Sequence, residues 1–245
     1  GYFDDIVIQK LVSEQFADDP VFGNAINYTK LNSDKWEVID MDGNAVFALN
    51  TSDVTPIHPS GNPWFNPDPN QYNNGQESAL GELAIVEGEN FKDFEMALKI
   101  AKPDFENENG SYDIAFVFGY IDQDNYSYIN INSNVDELVS TITNVVDGKG
   151  LRGQNIDNWN YEPGDLLGDN QMHEIALKRE GNSVSLSYDG TEILNITNEA
   201  FGAEGAVGIG SWNDGGYFDD ITVNAIEGPS SLNNIESTTI GELDG

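Results

Sequence analysis

The sequence predicts an all-β protein, a two-sheet antiparallel β-sandwich of the jelly-roll kind. Three observations point there. Short apolar stretches separated by Gly, Asn and Asp clusters recur from end to end, and long helical periodicity is absent. The clearest of these stretches alternate apolar and polar residues at period two.

Strands are predicted at Glu37 to Ile39, Ala45 to Leu49, Phe94 to Ile100, Tyr112 to Tyr120, Tyr126 to Ile131, His173 to Arg179, Ser183 to Tyr188 and Ala206 to Ser211. Many short strands with turn signals between them read as a sandwich. In Ile175-Ala-Leu177 and Val184-Ser-Leu186-Ser-Tyr188 the alternation puts one face in the core and the other toward solvent. Gly181-Asn182 and Asp189-Gly190 sit where tight hairpin turns belong, because these residues tolerate positive φ. At 245 residues the chain suits one large sandwich that needs no covalent staple. It contains no cysteine, which excludes disulfides, thiolate metal sites and thiol nucleophiles together.

Two regions break the rhythm. Residues 55–78 carry five prolines and no strand pattern, and residues 147–170 hold Gly148-Lys-Gly-Leu-Arg-Gly153 followed by Asp157-Asn-Trp-Asn-Tyr161. Long loops inside a compact domain are usually functional or disordered. Trp64, Phe65, Tyr72, Trp159 and Tyr161 argue against plain disorder. One repeat stands out: Gly1-Tyr-Phe-Asp-Asp-Ile-Val-Ile recurs as Gly216-Tyr-Phe-Asp-Asp-Ile-Thr-Val. Either residues 1–9 are the terminal strand of a preceding module, or both copies are strands of one sandwich. On the first reading residues 10–228 form the sandwich, and the Ser-, Asn- and Thr-rich stretch 229–245 is a linker or tail.

Charge narrows the function classes. Ten Lys and Arg against 43 Asp and Glu give a formal net charge of −33. Such a surface repels nucleic acid and anionic membranes, and it destabilises the compact state unless cations screen or bind it. A saline, calcium-containing extracellular setting supplies those cations. No apolar run reaches the roughly 18 residues that a spanning helix needs. With neither a signal peptide nor an initiating Met, the sequence reads as a processed or excised piece of a longer secreted or cell-surface protein.

The stretch Met172-His-Glu-Ile-Ala-Leu-Lys-Arg-Glu-Gly-Asn-Ser-Val-Ser-Leu-Ser-Tyr-Asp-Gly190 resembles the strand, turn, strand, Asp-Gly signature of laminin G-like domains, with Met172 where that family has Trp. Gly205-Ala-Val-Gly-Ile-Gly, Asn213-Asp and Phe218-Asp-Asp-Ile look like the last two strands of bacterial concanavalin A-like modules. Phe94-Glu-Met-Ala-Leu, Asp124-Asn-Tyr-Ser-Tyr-Ile and Gln15-Phe-Ala-Asp-Asp resemble their middle strands and opening. The likeness spans about residues 14–224. It implies a concanavalin A-like jelly roll, a fold that serves lectins, adhesins, glycanases and lyases alike.

The resemblance implies that the first and last strands are neighbours, so Asp18-Asp19 and Asp219-Asp220 would converge. Calcium takes about six to eight oxygen ligands and would offset the mutual repulsion of four carboxylates. Asp18, Asp19, Asp219 and Asp220 are therefore the expected calcium ligands, with Asp122, Asp124 and the 165–169 stretch as weaker candidates.

Glycan binding is the expected function. Sugars stack flat C–H faces on aromatics and need amide, carboxylate or guanidinium partners. Trp64, Tyr72, Arg152, Trp159, Asn160 and Tyr161 supply those types, and Arg152 suits a carboxylate. Tyr126, Tyr128 and Asn130 share a strand face, which either lines the site or packs within it. Trp36 and Trp212 read as core. The competing readings are a structural or protein-binding module of an adhesin and a polysaccharide-degrading enzyme. Laminarinase-type enzymes of this fold need Glu-x-Asp-x-Glu or Glu-x-Asp-x-x-Glu on one strand, and no predicted strand has it. Gln171-Met-His173 resembles a lyase strand, but His173 falls at a laminin G-like position that is usually structural.

Overall fold

A computed structural model of the chain describes residues 11–13, 28–30, 35–41, 43–49, 80–103, 113–132, 141–147, 149–152, 166–198, 201, 203–211 and 215–226. These residues build two antiparallel sheets. The first holds β1 (Leu11–Ser13), β3 (Trp36–Met41), β4 (Asn44–Leu49), β6 (Phe94–Ala101), β11 (His173–Glu180), β12 (Ser183–Tyr188), β13 (Thr191–Thr197) and β15 (Gly216–Ala225). The second holds β2 (Tyr28–Lys30), β5 (Glu82–Val86), β7 (Asp113–Asp122), β8 (Asn125–Asn132), β9 (Thr141–Val146), β10 (Lys149–Arg152) and β14 (Ala206–Ser211). Their orders are β13-β12-β11-β6-β15-β4-β3, with β1 also on β15, and β10-β9-β8-β7-β14-β5-β2. The protein is a two-sheet β-sandwich.

All eight strands expected from the sequence are present. The hairpin turns fall where Gly and Asp permit left-handed backbone: Asp189 and Gly190 take φ values of 47° and 74° between β12 and β13. The 147–170 region differs from the expectation, because Lys149–Arg152 is a strand. Asp147, at φ 50°, turns the chain so that β10 pairs back on β9. This edge strand forms through backbone pairing, and its two glycines nearby hide it from side-chain patterning.

Between the sheets lies the main core. β7 sends Ile114, Phe116 and Phe118 inward, β6 sends Phe94, Met96, Leu98 and Ile100, and β15 adds Phe218, Ile221 and Val223, all of them buried. Each such side chain contributes roughly 1.5–3 kcal/mol by leaving water. Trp36 belongs to this core as expected, stacked on Phe47 at 5.0 Å between ring centroids. In β11 and β12 only alternate residues are buried, as the period-two pattern predicts. The middle of the second sheet is different, for β5 and β14 are buried along their whole length. Its opposite face carries a second apolar cluster that includes Leu83, Ile85, Ala115, Val117, Tyr126 and Tyr128.

Two glycines make that face possible. A Cβ at Gly208 would collide with the Ala84 carbonyl oxygen, and one at Gly210 with the Glu82 carbonyl oxygen. At these two positions β14 and β5 leave no room for a side chain. Gly208→Ala and Gly210→Ala are each expected to cost about 1–3 kcal/mol by forcing the two strands apart. Urea unfolding measures this, and an unchanged midpoint for both would show that the strands have room to spare.

Candidate functional site

The second sheet's outer face is organised by register. Directly opposed residues share a face, so Thr143, Tyr128, Val117, Gly208 and Ile85 form one row across the sheet, and backbone register continues it to Arg152 in β10 and Thr29 in β2. A neighbouring row runs Asn130, Ala115, Gly210 and Leu83. Aromatic rings, amide and hydroxyl groups thus stand beside a floor of glycines. Tyr126 packs against Tyr128 at 6.1 Å, and its phenol oxygen accepts a 2.7 Å hydrogen bond from the Leu80 N–H. Burial pushes the Tyr126 phenol above its ordinary range, against the effect of that bond.

At the end of this face lies a buried polar cluster that the sequence reading missed. Asp113 accepts from Asn130 Nδ2 at 2.7 Å and from Ser211 Oγ at 2.9 Å. Asn130 Oδ1 is buried with no hydrogen-bond partner. The signal was available: Asn130 stands between Ile129 and Ile131 in phase with two tyrosines, and a lone amide in an apolar strand needs a buried partner. Tyr126, Tyr128 and Asn130 are all buried, so in this structure they pack within the fold.

The expected site residues are distributed as follows. Arg152 stands in the edge strand β10 opposite Thr143, not in a loop. Trp64, Tyr72, Trp159, Asn160 and Tyr161 lie outside the described residues, as do Asp18 and Asp19. So do residues 1–9, residues 229–245 and Trp212.

Asp219 and Asp220 lie in β15, where the chain's first described strand meets its last: Leu11–Ser13 pairs with Thr222–Asn224. Asp219 is nearly buried and accepts from Asn44 Nδ2 at 2.7 Å and from the Asp220 N–H at 2.8 Å. Asp220 takes φ 50° and pairs with Lys99 Nζ at 2.6 Å, which raises the Lys99 pKa. Asp122 caps its own hairpin, accepting from the Asp124 N–H and from Asn125 Nδ2. Among the described residues no three His, Asp or Glu side chains gather into a metal-holding group, and no helix is long and apolar enough to cross a membrane.

No family profile and no curated protein matches the sequence. Solved structures do match the fold. A carbohydrate-binding module, CBM66, from Bacillus subtilis aligns at TM-score 0.53 and 14% identity, over 82% of this chain and 97% of that one. A glycoside hydrolase family 16 endo-glucanase from Bacteroides ovatus, solved in complex with G4G3G-2F-DNP, aligns at TM-score 0.50 and 12% identity, over 89% and 99% of the two chains. The chain has a concanavalin A-like jelly-roll fold.

On this jelly roll His173, the residue that resembled a lyase base, is held on both sides. Its Nδ1 meets Asp189 Oδ2 at 2.8 Å, its Nε2 meets Asp169 Oδ1 at 2.8 Å, and its ring stacks on Tyr188 at 4.8 Å. Asp189 also accepts from the Glu174 N–H, and Tyr188 accepts from the Leu167 N–H. Partial burial works against the imidazolium, but the bonds to Asp189 and Asp169 outweigh it and raise the pKa above 6.5. Asp169 is lowered below 3.8 by the Gln171 N–H and His173. Asp189 is lowered too, because the His173 and Glu174 bonds overcome its burial. The clamp ties the β12–β13 turn to the start of β11.

A histidine raised on folding stabilises fully below its unfolded pKa and loses that contribution as pH rises through the folded value. Carboxylates lowered on folding contribute above their unfolded pKa and lose it as pH falls through the folded value. The clamp is therefore strongest between about pH 4 and 6.5. Against the wild type, His173→Gln is expected to remove a fall in melting temperature between pH 5.5 and 8.5. That fall is at most a few degrees, since partly exposed pairs contribute about 1 kcal/mol or less. Parallel pH profiles of the two proteins would exclude the clamp.

Proposed function

We propose that this chain is a calcium-dependent carbohydrate-binding module of a secreted or cell-surface protein. The observation that carries the reading is the outer face of the second sheet. There a row of cross-strand partners ends at Arg152, in the edge strand that leads directly into the segment bearing Trp159, Asn160 and Tyr161. Aromatic rings stack sugar faces, and a guanidinium fork beside them reads a carboxylate or a pair of hydroxyls. The fold shared with a carbohydrate-binding module supports the same reading. On it, the buried row of Tyr128 and Val117 serves as the rigid base, and Trp64, Tyr72, Arg152, Trp159, Asn160 and Tyr161 make the contacts.

One observation favours the second reading, a structural or protein-binding module of an adhesin. Tyr126 and Tyr128 are buried, which leaves them no surface to offer a sugar. A glycan array separates the two. Under the carbohydrate reading Trp64→Ala and Trp159→Ala each weaken glycan binding about tenfold or more, with folding intact, as loss of a buried aromatic contact does. Binding that survives both changes removes the site, and an array without hits favours the adhesin.

Calcium is proposed at the meeting of the chain's two ends, with Asp18, Asp19, Asp219 and Asp220 as ligands. The pairing of β1 with β15 supports this, because it brings the opening of the sandwich beside Asp219 and Asp220. An ion bound only by the native state stabilises it by about 2.7 kcal/mol at a hundredfold excess over Kd. Chelator is thus expected to lower the melting temperature by several degrees, and Asp219→Asn to abolish that response. A midpoint indifferent to chelator in low salt removes the calcium.

A further inference from the structure

The repeated segment at the head of the chain has a matching slot in the fold. β15 lies in the first sheet with β6 along one edge and β4 and β1 along the other. Its first six residues, Gly216-Tyr-Phe-Asp-Asp-Ile221, are identical to Gly1-Tyr-Phe-Asp-Asp-Ile6. In the slot most of them have a definable task. A Cβ at Gly216 would press on the Phe218 ring at 3.0 Å. Phe218 is fully buried against Trp36, with ring centroids 5.9 Å apart. Asp219 holds Asn44 and the N–H of Asp220, Asp220 supplies the left-handed backbone and the Lys99 pair, and Ile221 is fully buried.

The decisive feature is a break in period. Asp219 opposes Lys99 and Thr222 opposes Ala97, so Asp220 and Ile221 together face one position, Leu98. This β-bulge shifts the phase of the strand. Buried apolar residues therefore fall at 218, 221 and 223, where a regular strand would have 218, 220 and 222. Residues 1–8 carry the same broken phase: Phe3, Ile6 and Ile8, with Asp4-Asp5 at the bulge. Other strand pairs also carry register shifts, but the phase that residues 1–8 share in sequence is the one that β15 takes in this slot.

We propose that residues 1–10 are a second β15, able to fill this slot in another copy of the same chain. Residues 1–10 lie outside the described residues, so the inference stands on the identity and on the slot. Within one chain the slot cannot take this segment while β1 keeps its place. Leu11 pairs with Asn224, the counterpart of Gln9, and a single residue between Gln9 and Leu11 cannot reverse the chain. Strand replacement accordingly joins copies, and the partner of this segment is a second molecule whose own β15 has been displaced.

The test uses the full chain with Phe3→Asp, Phe218→Asp and both changes together. Phe3→Asp is expected to leave the melting temperature unchanged, because the native occupant of the slot is intact. Phe218→Asp is expected to keep a cooperative transition only as a dimer or larger assembly in light scattering. Its melting temperature should rise with protein concentration, since the intact segment of one copy replaces the damaged strand of another. The double variant should lose the transition. Phe218→Ala, alone and with Phe3→Ala, gives the same comparison under milder damage. The proposal is overturned if the single and double variants are equally unstable in both series, or if the Phe218 variants melt independently of concentration.

Discussion

Neither sheet is complete until the end of the chain arrives. β14 sits between β7 and β5, and β15 sits between β6 and β4, so the last two described strands occupy the interior of the two sheets. Their neighbours were made more than 80 residues earlier in the sequence, which places the critical pairings far apart along the chain. Closing such loops costs entropy before any contact returns it, so a sandwich of this order folds slowly compared with one of local hairpins. The same arrangement explains why residue choice is so constrained in β14 and β15. An edge strand can vary on its free side. A strand with neighbours on both edges and core on its inner face must match everything at once, as Gly208 and Gly210 do by having no side chain and Asp219 does by accepting from Asn44 of β4 and from the next N–H of its own strand.

Charge is managed by position. The chain carries a formal net charge of −33, yet among the described residues Arg179 is the largest fully buried side chain. Its Nε donates to the Gly181 carbonyl at 3.2 Å and its Nη1 to the Ala203 carbonyl at 2.7 Å, while Asp93 receives the Gly181 N–H at 2.6 Å. Burial pushes the guanidinium below its ordinary value, and the charges of Asp93 and Glu204 act in the opposite direction. The result is a strut between the β11–β12 turn and the approach to β14. Scarce cations are thus used structurally: Arg179 inside, Lys99 against Asp220, Lys178 against Glu180. In a protein so acidic, each pairing also relieves local repulsion that salt must otherwise screen.

Most of the fold was legible because period and composition agree. β11 and β12 alternate cleanly, and β7 is an unbroken run of Ile, Ala, Phe and Val bounded by polar residues. β1 and β2 were not legible, since three residues cannot establish a period. β5, β9 and β13 escaped for other reasons: β5 is apolar on both faces, and β9 and β13 interrupt their apolar residues with Thr, Asn and Glu. Arg179 shows a signal present but unused. It follows Ile175 and Leu177 at period two and so belongs on the inward face, although Lys178-Arg179-Glu180 reads locally as a solvated run. The candidate site was less legible than the fold, because its expected glycan contacts lie in stretches of the sequence without periodicity, and all but Arg152 fall outside the described residues. Arg152 is the exception, and only backbone register ties it to Thr143 and Tyr128.

The two faces of the second sheet then bear on function in different ways. Its inner face is ordinary core, chosen for volume. Its outer face combines a glycine floor, two tyrosines packed at a tilt and the Asp113–Asn130–Ser211 cluster, with Asn130 Oδ1 left unpaired. A purely structural face would be better served by apolar side chains of equal volume, since a half-satisfied polar cluster costs more than none. Buried polar groups that tolerate this cost are commonly retained where rigidity or recognition requires them. Here they lie one row from the register of Arg152, so they hold together the strands beneath that row.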